Sequence, residues 1–377
     1  MSSAEPSSQN PSTPQPRLPR HGKDCVTGIV PAVVAGVPFE SMPESAAKAR
    51  RTVLLVVDGL GWLQLQQNRD RAPNLMAASG GAITTIAPST TASALTSIAT
   101  GTPPGEHGVV GYRIPTHEGV LNCLRWSASS GDARRSVIPE DFQPLPPFLG
   151  SEPPVVTRSE FRTSGFTGAH LRDSPWFGWY TSYSIVPQVA AALATGERFV
   201  YAYYDGLDKI AHAHGVDSDH YRAELEGIDR LIGDLRAELD DDTALLVTAD
   251  HGLVDVGDRV VQLDQSVASL ATGFSGEARF LWLHGRQDRH GDMAAAASDA
   301  HGDDCWVVSV QQMLDEKWFG SVVSRDARER LGDVAIIAHQ PIAILEPGSP
   351  DTSWLRGRHG SLTDEEMLVP LLAVEPD

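Results

Sequence analysis

Apolar residues along this chain come in unbroken blocks, and the blocks stop at acids. Three of them stand out: Val53 to Val57, Phe199 to Tyr204, and Ala244 to Thr248. Continuous apolar runs of this length, rich in β-branched and aromatic residues, read as strands buried on both faces, the pattern of a parallel sheet. The first run ends at Asp58-Gly59, the second at Asp205-Gly206, and the third, after Ala249, at Asp250-His251-Gly252. A fourth β-branched start, Ile83 to Ile86, leads through Thr90 and Thr91 into Ala92, Leu95 and Ile98 at helical spacing. Gly101, Pro103 and Pro104 end that helix. Further on, Leu225, Ile228, Leu231, Ile232, Leu235 and Leu239 predict an amphipathic helix. Strands alternating with helices predict an α/β fold: a mostly parallel central sheet with helices on both faces.

Two segments interrupt this rhythm. From about 112 to 180, prolines, glycines and aromatics mix without a clear period, which reads as an inserted cap over the rim of the sheet. From about 255 to 340 lies a second mixed module, with strands near Phe280 to Leu283 and Trp306 to Val310 and a helix near Val310 to Phe319. Residues 1–24, rich in Ser, Pro, Gln and Asn and lacking an apolar stretch, read as a disordered tail and not a signal peptide. The expected organisation is that tail followed by one catalytic domain, 25–377, carrying both insertions.

Composition narrows the function. A formal net charge of −19 argues against nucleic-acid polymers and anionic membranes as partners. No apolar segment approaches the ~20 residues of a membrane span. Cys25, Cys123 and Cys305 are widely spaced, fitting a reducing compartment, and the expected location is the cytoplasm. Oligomeric state is not legible.

The candidate chemistry sits where strands stop, the place where open α/β sheets bind their ligands. Asp250 and His251 fit a polar turn as well as a pair of metal ligands. Asp58 fits a helix cap as well as a ligand. Asp208 and His212 are four residues apart, so one helical turn puts them on one face; Asp205 is the competing acid and His214 points elsewhere. Thr90 and Thr91 fall at a strand-to-helix junction, where a hydroxyl can cap the helix or act as a nucleophile. His359 precedes the last helix start. His290, Asp292, Asp299, His301 and Asp303 read as a polar loop in preference to a second metal site. Three aspartates and three histidines suit two divalent ions, zinc first and manganese as the alternative. Such ions would leave a local positive charge able to hold a phosphate inside an acidic protein.

The ordered set Leu-Leu-Val-Val-Asp58-Gly-Leu-Gly, Pro88-Ser-Thr-Thr91 with Thr100-Gly-Thr-Pro-Pro-Gly-Glu-His-Gly108, Asp208-x-x-x-His212, Thr-Ala-Asp250-His251-Gly and His359-Gly resembles the alkaline phosphatase superfamily. Within it, the chain is most similar to the type I phosphodiesterase/nucleotide pyrophosphatase family, over about Val53 to Leu372. The resemblance implies an alkaline-phosphatase-like three-layer sandwich and a metal-dependent phosphodiesterase. Asp208, His212 and His359 would bind one ion, and Asp58, Asp250 and His251 the other. Thr91, with Thr90 as the fallback, would form a phospho-threonine intermediate on a small phosphate-ester substrate, such as a nucleotide. Where relatives carry an asparagine that donates to the phosphate, this chain has Tyr112, a phenol of different reach. The alternatives are a phosphomonoesterase, phosphonate hydrolase or phosphomutase of the same superfamily, or a non-catalytic metal-stabilised binding module.

Overall fold

The computed structural model describes residues 14–349 and 352–374. Its centre is a seven-stranded sheet. In chain order the strands are β1 (Arg51–Val57), β2 (Ser79–Thr84), β3 (Val155–Arg158), β4 (Trp176–Trp179), β5 (Phe199–Tyr204), β6 (Thr243–Thr248) and β7 (Leu368–Val374). Across the sheet they run β2-β7-β6-β1-β5-β3-β4. β7 alone is antiparallel to its neighbours; the other six share one direction. The three apolar blocks form the adjacent strands β6, β1 and β5. Every residue of β5, and all of β1 after Arg51, is buried. Helices α1 (Thr91–Thr100), α2 (Gly206–His214) and α3 (Asp219–Glu238) follow β2 and β5 in the chain. α3 buries Leu225, Ile228, Leu231, Ile232 and Leu235, the stripe its spacing predicts.

Both insertions are more regular than the sequence suggests. The first opens with a small antiparallel meander whose main hairpin pairs Arg113–Thr116 with Gly119–Asn122. It then supplies β3 and β4 to the central sheet, so it is only partly a cap. Four-residue strands among prolines and glycines leave too short an apolar run to recognise. The second insertion builds its own four-stranded sheet, Ala271–Glu277, Phe280–Gly285, Val334–Ala338 and Cys305–Ser309, around a separate small core. The stretch read as a polar loop is a helix, His290–His301. Its alanines favour helix, and its charges lie on the exposed side.

The expected disordered tail also needs correction over its second half. Leu18 packs against the main core, Arg17 pairs with Asp364, and the Trp306 indole donates to the Pro14 carbonyl. The remainder of the tail, 1–13, lies outside the described residues. Among the described residues, no helix is long and apolar enough to cross a membrane.

Candidate active site

All the parallel strands that matter chemically end on one edge of the sheet. β1 delivers Asp58, β6 delivers Asp250 and His251, and β5 runs into α2, which carries Asp208 and His212. The loop after β2 brings Thr90 and Thr91 to the start of α1, with Thr90 as its N-cap. His359 arrives from a distant part of the chain. It follows the short strand Gly357–Arg358, which pairs with Val254–Asp255 just beyond His251. A backbone bridge between Ser89 and Gly360 fixes it beside the Thr90 loop.

The structure brings the six acids and histidines into two groups: Asp208, His212 and His359, and Asp58, Asp250 and His251. Within each group, one potential ligand atom per residue lies within 4.8 Å of the others. The second group is fully buried. Each histidine is oriented in the same way. Nδ1 of His251 donates to the Gly252 carbonyl at 3.1 Å, that of His212 to Gly357 at 2.7 Å, and that of His359 to Ser89 at 3.0 Å. A carbonyl can only accept, so Nδ1 holds the proton and the Nε2 lone pair is left free. That is the arrangement in which an imidazole binds a metal. Burial, followed for His359 by the neighbouring imidazoles His251 and His212, holds both His251 and His359 below the ordinary imidazole pKa, keeping them neutral.

The carboxylates are asymmetric in a matching way. Asp250 Oδ1 accepts from the backbone N–H of Gly59 at 3.2 Å and of His251 at 3.1 Å, and Asp58 Oδ2 accepts from the Tyr203 hydroxyl. Asp208 Oδ2 lies 3.3 Å from His212 Nε2. The other oxygen of each, Asp58 Oδ1, Asp208 Oδ1 and Asp250 Oδ2, is buried without a hydrogen-bond partner. Burial, with mutual repulsion among the acids, drives all three above the usual carboxylate range. Three partnerless carboxylate oxygens converging with three unprotonated imidazole nitrogens would be a heavy cost in a bare protein. Divalent cations remove it, so this donor set fits them.

The two threonines separate cleanly. Thr91 Oγ1 lies 3.1 Å from His251 Nε2, facing the buried group. Thr90 instead lies beside the Glu277 carboxyl, where it opposes the upward push of burial on that group's pKa. The competing acids separate too. Asp205 is gripped through both oxygens by Arg158 Nε, at 2.7 and 2.8 Å, and pairs with Lys209, whereas Asp208 faces His212 and His359. His214 stacks on His220 at 3.9 Å, away from the group. Of the second histidine-and-acid set, His290 pairs with Asp333 and His301 accepts from the Asp264 backbone; among the described residues they form no ligand group.

These residues floor a cavity of about 650 Å³. Leu95, Phe161, Phe166, Leu171 and Trp176 give it an apolar wall, which suits a sizeable organic group. Tyr112 lines it, accepting from Asn122 Nδ2 at 2.6 Å. The sequence reading missed Asn122, Tyr203 and Glu277. Tyr203 is hidden in an apolar strand, and Glu277 closes a strand of the second insertion; only a lone acid at a strand end would have marked it.

Comparison with known proteins supplies the class and then the family. The model of the type I phosphodiesterase/nucleotide pyrophosphatase family matches residues 52–191 and 183–362, most of the chain. The protein is accordingly a phosphoric ester hydrolase. It belongs to the type I phosphodiesterase/nucleotide pyrophosphatase family, within the alkaline phosphatase superfamily. No curated protein matches the sequence. Among solved structures, murine ectonucleotide pyrophosphatase/phosphodiesterase 5 is similar, with a TM-score of 0.65 and 17% identity over 86% of this chain and 88% of that one. An inactive threonine-to-alanine variant of the murine protein, in complex with AMP, matches with the same score and identity over 87% and 88%. The human counterpart gives a TM-score of 0.60 and 16% identity over 86% and 88%. At these identities the likeness concerns the fold.

Proposed function

We propose that the protein is a phosphodiesterase of nucleotide-pyrophosphatase type that works through a phospho-threonine on Thr91. The observation that carries this reading is the Thr91 hydroxyl, 3.1 Å from a neutral His251 and at the first position of a ten-residue helix. Asp58, Asp250 and His251 would hold one divalent ion, and Asp208, His212 and His359 a second. Zinc is favoured by the mixed nitrogen and oxygen donors, with manganese as the alternative. Bound there, the ions supply Lewis acidity: they stabilise the ionised threonine and the charge on the leaving oxygen.

The rest is the work of the chain. Asp250 is braced by two backbone N–H groups and Asp58 by Tyr203, so their remaining oxygens keep fixed directions. Helix α1 presents Thr91 at its positive end, where phosphate charge is stabilised. The Thr91 oxygen attacks phosphorus, the alcohol or phosphate leaves, and water cleaves the phospho-threonine, restoring the hydroxyl. Tyr112 receives a hydrogen bond from Asn122, which leaves its own O–H free to donate to a phosphate oxygen. The AMP complex of the similar murine protein supports a small nucleotide-like substrate, and its inactive threonine variant supports the threonine nucleophile. The three cysteines are free and buried, which fits the cytoplasmic location expected from their spacing.

Hydrolysis of bis(p-nitrophenyl) phosphate and of p-nitrophenyl phosphate, each with Zn²⁺ or Mn²⁺, tests the reading. Faster turnover of the diester is the expected result. Turnover of the monoester alone would replace the substrate class, and turnover of neither would favour a binding module.

A further inference from the structure

The wall of the cavity carries a phenol whose hydrogen bond has a fixed direction. Tyr112 and Asn122 come together at the open end of the hairpin in the first insertion, where Arg113 pairs with Asn122 and the Cys123 N–H donates to the Tyr112 carbonyl at 2.9 Å. Both residues line the cavity that holds Thr91. Asn122 Oδ1 accepts from the backbone N–H of Arg125 at 3.0 Å. A backbone N–H can only donate, so this bond decides which end of the amide is oxygen. It leaves Nδ2 turned to the phenol, 2.6 Å from the Tyr112 oxygen.

An amide nitrogen donates and does not accept. The phenol therefore cannot give its proton to Asn122, and among the described residues no other group accepts it. Its O–H is left for the cavity. The Nδ2 bond also has no part in shaping the chain: the turn that follows Asn122 is closed by Oδ1 alone. The backbone of the phenol is held separately. Arg113, the next residue, donates through Nε to the Gly276 carbonyl at 3.0 Å and pairs with Glu346, which ties this hairpin strand to the far wall of the cavity.

We infer that Asn122 is a positioning residue for phosphoryl transfer. By donating to the Tyr112 oxygen it commits the phenol to donating into the cavity, to a non-bridging oxygen of the phosphate undergoing attack. This rests on the reading of the cavity as a phosphodiester site. The bond into the phenol oxygen also polarises its O–H, which strengthens the bond that the O–H makes to the phosphate. No proton leaves either residue; Asn122 acts only through the direction it imposes on Tyr112.

Exchanging the amide for a carboxylate of the same shape inverts the bond. In Asn122→Asp one oxygen still serves the Arg125 N–H, while the other accepts the phenol proton that the phosphate would have received. With bis(p-nitrophenyl) phosphate and Zn²⁺ or Mn²⁺, kcat/KM of Asn122→Asp should fall by about tenfold or more, close to the fall in Tyr112→Phe. Asn122→Ala, which releases the phenol without capturing its proton, should lose about threefold and covers the case in which the aspartate variant misfolds. In the Tyr112→Phe background, each Asn122 substitution should change kcat/KM by less than about twofold, because no hydroxyl is left to direct. A loss that persists in that background, as charge repulsion or a displaced hairpin would produce, would overturn the inference alone. So would Asn122 variants as active as the wild type. No turnover of the diester by the wild type would overturn the diesterase reading and this inference with it.

Discussion

The imidazole rings of His251 and His359 stack face to face, their centroids 3.7 Å apart and their planes 15° from parallel. Each ring belongs to a different ligand group, so the two groups share a wall. Disturbing one ring removes the packing that fixes the other. His359→Ala should therefore cut bound metal from two equivalents toward one, and weaken retention of the remaining ion during dialysis. Elemental analysis after gel filtration checks this; two equivalents in the variant would remove His359 from the ligand set.

Thr91→Ala should lower diester turnover by at least ~10³-fold while leaving metal content near two equivalents. Thr91→Ser keeps a hydroxyl and should retain measurable activity. Thr90→Ala, which leaves the proposed nucleophile in place, should stay within about tenfold of wild type. Steady-state kinetics on the three variants decides between the threonines, and a dead Thr90→Ala would move the nucleophile by one residue.

Stripping the metal should destabilise the fold, because Asp58, Asp208 and Asp250 would then face one another buried, each with a partnerless oxygen. A chelator should lower Tm by on the order of 5–10 °C, and excess Zn²⁺ or Mn²⁺ should restore it. Differential scanning fluorimetry gives the answer; a Tm indifferent to chelation would remove the two ions from the account.

Acid should weaken what two buried histidines contribute to the fold from near neutral pH. Burial holds His107 at about 3 and His170 at about 4 in the folded state, against 6.5 when free. Below about pH 6.5 the unfolded chain therefore binds protons that the folded chain refuses. Each histidine removes about 1.4 kcal/mol per pH unit down to its folded value, and above 6.5 the effect vanishes. His107 is fully buried, accepting from the Val109 N–H and bonded to Ser97 on α1. Urea unfolding between pH 7.5 and 5 should show a shallower slope for His107→Gln than for wild type. Parallel slopes would contradict this.

Glu366→Ala should cost about 3–5 kcal/mol, since it strands the Arg279 guanidinium in a site where neither side chain is exposed. Chemical denaturation measures it. A loss under about 1 kcal/mol would mean that the carbonyls of Ala338, Gln340 and Ile342 satisfy the arginine unaided.

What the sequence conveyed depended on how far apart the partners lie. β1, β5 and β6 were legible because strands buried on both faces must be apolar throughout, and their terminal acids broke that rule visibly. Asp208 and His212 were legible as a helical pair. β3 and β4 escaped because four residues carry too little pattern, and His290–His301 because its charges outweighed its alanines in the reading. Whether Asp205 or Asp208 faces the site turns on Arg158, 47 residues upstream of Asp205, and no local pattern reports that. Glu277 comes beside Thr90 and His359 through the fold alone.

The order of the central sheet has a consequence for synthesis. β7 follows the other six strands in sequence, yet it occupies an interior slot between β2 and β6. Until the segment through Val374 has left the ribosome, β6 exposes an open flank and β2 is held only by the bridge from Thr84 to Cys25. The open flank of β6, Leu245 to Thr248, is apolar or β-branched, a template for pairing with another nascent chain. A truncation before Leu368 would keep every candidate ligand and the nucleophile, yet should accumulate as aggregate, with a complete set of active-site residues in a sheet that cannot close.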